Sequence, residues 1–328
     1  MKRNSSLIAW AFALPFILLL NACKKDNLSD IDRELSEKSI ANVAISGNKL
    51  PVTKISGVVN PVDIQFDYDG NLYILTPKCI KTLTNGKLKT LSLPDTVFTD
   101  FSAYWDGWVY GPAKHIAADR NGTIYLAQRE GIRIIYKNGR VDTFVNGDIG
   151  WGVSDLRDLA VTSNGHLFYC SYDGIVRAVP EAIQTPTNFF GNGLYPYSDW
   201  SAVSILAMDC GDNNIAWLGT NKGIASFLLP ENPDYNEGYE FKINYLGDPD
   251  GKKSEGPIEK VKLGDISQIE ATDDGSVICF IEGGNLKQLR KGIVKIITPM
   301  ANNTRIALSK DADKLYFISN GDLNVLDL

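Results

Sequence analysis

The stretch Val62-Asp-Ile-Gln-Phe-Asp-Tyr-Asp-Gly70-Asn-Leu-Tyr-Ile-Leu75 decides the fold. It reads as a short apolar strand, a tight polar turn and a second strand of aromatic and β-branched residues. Asp-Gly suits the turn because positive φ is cheap only for Gly, Asn and Asp. The same grammar returns at His115–Leu126 around Gly122, at Asp158–Tyr169 around Gly165 and at Ile205–Leu218 around Asn213. It appears twice more, at Gln268–Cys279 around Gly275 and at Arg305–Tyr316 around Asp313. Successive turns lie 38 to 62 residues apart, near the roughly 40 to 50 residues of known propeller blades. No stretch of the body holds a helical period, which excludes α/β alternation.

A three- or four-stranded sheet cannot bury both faces alone, so the repeats must stack. Radial closure is the stacking that protects strand edges. The expected fold is therefore all-β: a six-bladed β-propeller. The sixth unit ends one strand short, after Leu323–Leu326, and an unassigned strand candidate, Val52–Val59, precedes the first. An N-terminal strand that completes the last blade is the expected closure. Residues 231–266 carry Asp-Pro-Asp-Gly and Gly-Pro, which favours a loop over a seventh blade.

Upstream of the repeats, Lys2 and Arg3 precede an apolar run from Leu7 to Leu20, followed by Leu20-Asn21-Ala22-Cys23. A basic start, a short apolar region and small residues before a cut mark a secretory signal. Pro15 interrupts the run, which is also shorter than the roughly 20 residues of a membrane span. Cys23 at the cut resembles a bacterial lipobox, and that resemblance implies a lipid-modified Cys23. Lys24 and Lys25 stand where an inner-membrane retention signal would place Asp, so the sorting rule it resembles implies the outer membrane, facing the periplasm or the surface. The expected division is a signal over 1–22, a lipidated Cys and tether over 23–48, and a propeller over 49–328.

The repeats resemble those of NHL and related six-bladed propeller families. The fourth unit, with Val203-Ser-Ile, Trp217-Leu-Gly-Thr220 and Gly223-Ile, resembles the blade motif of periplasmic propellers in two-component regulators. Blade grammar specifies a fold and carries little about function. A resemblance to gluconolactonase-type propellers fails at the residues that matter, since Asn60-Pro61-Val62-Asp63 offers no clear counterpart of their first metal-binding acid.

With 33 basic and 39 acidic residues the formal net charge is −6. Nucleic acid is thereby disfavoured, because phosphate neutralisation needs clustered Lys and Arg. No nucleophile elbow, phosphate loop or zinc-protease motif occurs. Cys79, Cys170, Cys210 and Cys279 lack metal spacing and are expected as free, buried thiols.

Two candidate sites remain. The long inter-blade connections 94–113, 146–155, 191–202 and 247–266 open on one face of a propeller. Trp105, Trp108, Tyr110, Trp151, Tyr195, Tyr197 and Trp200 lie on them. Such rings suit a glycan, a peptide or an envelope-protein partner, and they serve equally as small cores for their own loops. At the channel mouth, aligning the inner strands on their turns places Asp63, His115, Asp158, Ile205, Gln268 and Arg305 in one register. The expected reading is a polar lining with Arg305 neutralising an Asp, and no cofactor. The alternative is a divalent ion among Asp63, His115 and Asp158 in a lactonase- or lyase-like enzyme. The leading expectation is a binding module attached to the membrane through its lipid anchor.

Overall fold

The structure is a computed structural model. It describes residues 50–93, 97–98, 101–102, 109–110, 113–128, 131–144, 156–163, 165–171, 174–178, 187–188, 205–211, 214–228 and 244–328. The expected signal and tether, with Cys23, lie outside the described residues. All described strands and buried clusters belong to the compact unit Ser46–Leu328.

Strand β1 (Val52–Lys54) comes first. Sheet I follows with β2 (Asp63–Phe66), β3 (Leu72–Leu75), β4 (Ile80–Thr84) and β5 (Lys87–Thr90). A two-stranded hairpin comes next, β6 (Phe101–Ser102) with β7 (Val109–Tyr110). Sheet II contains β8 (His115–Ala118), β9 (Ile124–Gln128), β10 (Gly131–Ile135) and β11 (Val141–Phe144). In sheet III are β12 (Leu156–Val161), β13 (Leu167–Ser171), β14 (Gly174–Ala178) and β15 (Thr187–Asn188). Sheet IV is built of β16 (Ile205–Cys210), β17 (Ile215–Thr220), β18 (Gly223–Leu228) and β19 (Asn244–Leu246). Sheet V adds a short β20 (Gly256–Pro257) to β21 (Ile266–Ala271), β22 (Val277–Glu282), β23 (Asn285–Arg290) and β24 (Ile293–Pro299). Sheet VI has β25 (Ile306–Leu308), β26 (Lys314–Ser319) and β27 (Asp322–Asp327).

Pairing is antiparallel throughout these sheets, and β1 lies beside β27 with Val52 opposite Leu326. Five sheets have the four-strand form expected of every blade, not six, because sheet V has five strands. Its extra strand comes from the 247–266 connection. Gly256 and Pro257 pair with Val294 and Ile293, while Val261 and Leu263 sink into the core between sheets IV and V.

The innermost strands β2, β8, β12, β16, β21 and β25 pack each on the next, and β25 packs on β2. Alternating side chains fill every gap between successive sheets with an apolar cluster. Examples are Tyr125 with Leu159 between II and III, and Phe280 with Ile224 between IV and V. Val58 and Leu323 join Ile64 and Leu72 between VI and I. Each such large side chain, fully buried, contributes about 1.5–3 kcal/mol. This radial packing of sheets around inner strands is that of a β-propeller.

The inner hairpin turns explain the regularity. Gly70 donates its N–H to the Asp67 carbonyl at 3.1 Å, and Gly122 to Asp119 likewise. Both glycines have φ near +80°, a region in which a Cβ is strained. Asp67 and Asp119 also accept the amides of Asn71 and Thr123 on their carboxylates. Thr162, Thr272 and Ser309 use their hydroxyls for the same purpose in later repeats.

In two repeats the positive-φ residue is not the expected one. It is Asn214 in the fourth and Ala312 in the sixth. The fourth turn has Asn where the others have Gly at the left-handed position, and Asn tolerates that region at either of two adjacent positions. Seven residues before Asn214, the spacing of Asp63 from Gly70, stands Ala207, past a bulge after Ile205, where Ile205 was expected.

Candidate functional site

Inner strands begin at one end of the channel and finish at the other. At the starting end, Asp63 opens β2, His115 opens β8, Asp158 follows a bulge in β12, and Arg305 immediately precedes β25. The structure brings these four side chains together. Arg305 Nη2 lies 3.0 Å from His115 Nδ1. The same nitrogen lies 3.4 Å from His115 Nε2, so the guanidinium covers the imidazole ring rather than meeting one ring nitrogen in the ring plane. Arg305 Nε is 3.6 Å from Asp63 Oδ1, and its Nη1 is 3.8 Å from Asp158 Oδ1. The imidazole lies 3.8 Å from Asp63 and 3.7 Å from Asp158.

Gln268 holds the equivalent position on β21 and donates its amide to the Ser267 carbonyl at 2.7 Å. Ala207 supplies a bare methyl on β16. Trp105, Trp108, Trp151, Tyr195, Tyr197 and Trp200 lie outside the described residues. Tyr110 pairs in backbone with Phe101 across the β6–β7 hairpin, which flanks Trp105 and Trp108 in sequence. Cys170, Cys210 and Cys279 are buried free thiols, whereas Cys79 is half-buried, its Sγ 3.2 Å from Thr76 Oγ1.

Two further carboxyls escaped the sequence reading. Asp209 and Glu270 lie one inward step along β16 and β21, level with Gln65 of β2. Together with the mouth they reveal a rule. Asp63 accepts the Ile116 amide at 2.9 Å, Asp158 the Met208 amide at 3.2 Å, Asp209 the Ala271 amide at 2.7 Å and Glu270 the Leu308 amide at 3.5 Å. Each acid staples its inner strand to the next one. A backbone N–H given to an ionised carboxylate is worth about 1.5–3 kcal/mol. Gln65 Oε1, at the same depth, is buried without a partner.

Burial sets the protonation chemistry. Desolvation pushes Asp63 up to about 7, against the pull of Arg305, with Asp158 adding to the rise. Asp209 is pushed up to about 6 by burial, partly offset by its amide donors. Burial likewise raises Asp158 and lifts Glu270 well above the carboxylate range. Desolvation opposes the charge on Arg305, yet Asp63 and Asp158 hold it above its ordinary value.

A divalent ion does not fit this arrangement. Arg305 lies over the His115 ring and against both aspartates, so a guanidinium occupies the space between the donors a metal would need. Among the described residues no three His, Cys, Asp or Glu side chains converge as ligands.

The far end of the channel is crossed by a tyrosine side chain. Tyr68, in the turn after β2, reaches across the ring from sheet I to sheets III and IV. Its hydroxyl donates to the Val161 carbonyl at 2.7 Å and lies 3.1 Å from the Cys210 carbonyl. Arg120 sits over the ring, 5.4 Å from its centroid, and Lys310 Nζ donates to the Tyr68 carbonyl at 3.1 Å. A tyrosine in a turn carries no sequence signal for such a span; its context, Asp67-Tyr68-Asp69-Gly70, reads only as a turn.

No protein-family model matches the sequence, and a search among curated proteins returns no match. Solved structures do share its shape. A virginiamycin B lyase from Staphylococcus aureus with quinupristin is 16% identical, with a TM-score of 0.51 over 85% of this chain and 99% of that one. A gluconolactonase from Xanthomonas campestris is 11% identical, with a TM-score of 0.52 over 83% and 86%. An auxiliary nutrient binding protein from Bacteroides thetaiotaomicron is 11% identical, with a TM-score of 0.55 over 82% of this chain and 69% of that one. Likeness at such identity concerns the fold, and the fold it supports is the all-β propeller.

Proposed function

We propose that the chain is a binding module: an outer-membrane lipoprotein, attached through Cys23, whose propeller presents its aromatic inter-blade loops to a glycan, a peptide or an envelope protein. The observation that carries this reading is the state of the channel mouth. Arg305 lies against His115, Asp63 and Asp158, and both aspartates also accept backbone amides, which leaves no uncommitted general base at the mouth among the described residues. The remaining concentration of recognition chemistry is Trp105, Trp108, Trp151 and Trp200, with Tyr110, Tyr195 and Tyr197.

In this reading sheet V is a blade like the others, giving six, and β1 is the outer strand that closes the last. Support comes from the ring of inner-strand contacts and from continued pairing beyond β1. Ile55 donates to the Leu323 carbonyl at 2.9 Å, and Asn60 to Gly321 at 3.1 Å. The lactonase- or lyase-like alternative requires Arg305 to leave the mouth before a divalent ion enters.

The test is a glycan and peptide array probed with the chain and with Trp105→Ala, Trp108→Ala, Trp151→Ala and Trp200→Ala singly. Loss of an aromatic anchor weakens binding by about tenfold or more. If all four variants melt like the parent and keep every ligand, the aromatic face is not the binding site.

A further inference from the structure

One rim of the molecule has a charge opposite to the whole. Between Asp69 and Asp95 the sequence carries Lys78, Lys81, Lys87 and Lys89 and no acidic residue, in a chain of net −6. These lysines belong to the outer half of sheet I. Lys78 is exposed in the turn between β3 and β4, and Lys87 and Lys89 are exposed on β5, the unpaired outer strand. Lys81 pairs across from Thr90, its Nζ 3.4 Å from the hydroxyl. Among the described residues none of the four takes part in an ion pair.

The segment that leads in from the N-terminus lies against this rim. Ile55 and Leu88 pack on the same apolar cluster, and a Cβ on Gly57 would meet Leu88 Cδ2 at 3.1 Å. Leu50, Val52 and Val59 of that segment are large apolar side chains left 38%, 54% and 70% exposed. Lys54 adds a fifth cation, paired with Asp322 at 2.7 Å. Apolar side chains interspersed with lysines, Asp322 being the acid paired to Lys54 beside them, form a surface complementary to phospholipid headgroups. Residues 24–49 join this segment to Cys23, so their contour keeps the rim within about 90 Å of the lipid-bearing residue.

We propose that this rim, formed by β5, the β3–β4 turn and residues 50–59, rests on an anionic bilayer surface. The contact holds the ring edge-on, with the channel mouth turned along the membrane. The source of the bilayer rests on the anchored reading above, whereas the contact itself is a property of the rim.

Flotation of the chain from residue 23 onward, with Cys23→Ser so that no lipid is attached, tests it. Vesicles of phosphatidylcholine alone are compared with vesicles that also contain phosphatidylglycerol, at low salt. The chain is expected to float with the anionic vesicles and to be released at high salt. Each lysine removed is expected to weaken binding about fivefold. The quadruple variant with Lys78→Gln, Lys81→Gln, Lys87→Gln and Lys89→Gln therefore loses about a hundredfold or more. A control with Lys291→Gln and Lys295→Gln, on sheet V, retains binding.

Equal flotation with both vesicles, or flotation of the quadruple variant like the parent, overturns the proposal. Retention on heparin without flotation would assign the rim to a soluble polyanion instead. Edge lysines that only block strand pairing would show as oligomers of the variant with flotation unaltered, which also overturns it. Intact mass of the chain purified from cell envelopes reports lipidation separately, so failure of the anchor and failure of the rim are distinguishable.

Discussion

The two ends of the channel are held by different physics. At the mouth, four ionisable side chains from four sheets meet at 3.0 to 3.8 Å, and the contacts of Arg305 and His115 with the two carboxylates all exceed hydrogen-bond length. At the far end, one neutral hydroxyl makes contacts of 2.7 and 3.1 Å to two backbone carbonyls. Cohesion at the mouth is Coulombic and changes with every proton bound. At the Tyr68 end it is directional and indifferent to pH across the range in which carboxylates and imidazoles titrate. The fold therefore concentrates its capacity to respond at one end and its rigidity at the other.

Arg305→Gln breaks the mouth and carries the largest expected effect. It leaves Asp63 and Asp158 desolvated without their cation, and removing one partner of such a buried group costs about 3–5 kcal/mol. The loss must itself depend on pH. Asp63 is pushed up from 3.8 to about 7 by burial, with Arg305 opposing, so between pH 4 and 7 the folded protein holds more protons than the unfolded chain. Stability consequently falls as pH rises through that window. Without Arg305 the folded carboxyls bind protons more tightly still, and the fall steepens. Urea unfolding at pH 5 and pH 8 should show the smaller loss at pH 5. A loss of equal size at both would mean the cluster is not electrostatic.

Tyr68→Phe sharpens the contrast from the other side. It deletes the hydroxyl and leaves the Val161 and Cys210 carbonyls buried without that donor, at a cost of about 1–3 kcal/mol. The ring stays, so packing is retained. The expected signature is a lowered urea midpoint whose displacement is the same at pH 5 and pH 8. A displacement that varied with pH would tie the plug to the carboxylates through the channel and erase the distinction between the ends.

These two ends were unequally legible in the sequence. Turn residues fix where each inner strand starts, so counting back from Gly70, Gly122 and Gly165 locates Asp63, His115 and Asp158 in one layer. The fourth turn has Asn at the position that Gly holds elsewhere, and Asn213 and Asn214 are equally suited to the left-handed region. That ambiguity, together with the bulge between Ile205 and Ala207, puts Ala207 where Ile205 was expected. The first turn residue would have resolved this. Asp67, Asp119, Thr162, Thr272 and Ser309 all fold a side-chain oxygen back onto the backbone, and Gly211 is the fourth-repeat equivalent. Asp209 and Glu270 were missed because only one depth of the channel was read. Tyr68 was illegible for a deeper reason. Its partners lie 93 and 142 residues away, and nothing local distinguishes a turn tyrosine that spans a ring from one that faces water. The five strands of sheet V were hidden similarly, since Gly256-Pro257 has the composition of a loop, and among the contacts that hold the connection are those of Lys287 and Glu282, far from it in sequence. Lys287 donates to Glu282 and, at 2.9 Å, to the Ser254 carbonyl, and Glu282 accepts the Gly264 amide at 2.7 Å.

The smallest expected effect tests whether the Tyr68 end is as insensitive to charge as its hydrogen bonds suggest. Arg120, itself exposed, lies over the buried Tyr68 ring at 5.4 Å from its centroid, and such a contact with a solvated cation contributes about 0.5–1 kcal/mol. Arg120→Met keeps the straight apolar stem and removes the charge. If the guanidinium only covers the ring, the urea midpoint falls by no more than that amount, equally at low and high salt, because a methionine stem still packs there. If its charge also offsets the carboxylates inside the channel, the loss should shrink at high salt and grow as pH rises from 5 to 8. In that case the plug would share the electrostatics of the mouth, and the two ends would be one coupled system rather than a responsive end and a fixed one.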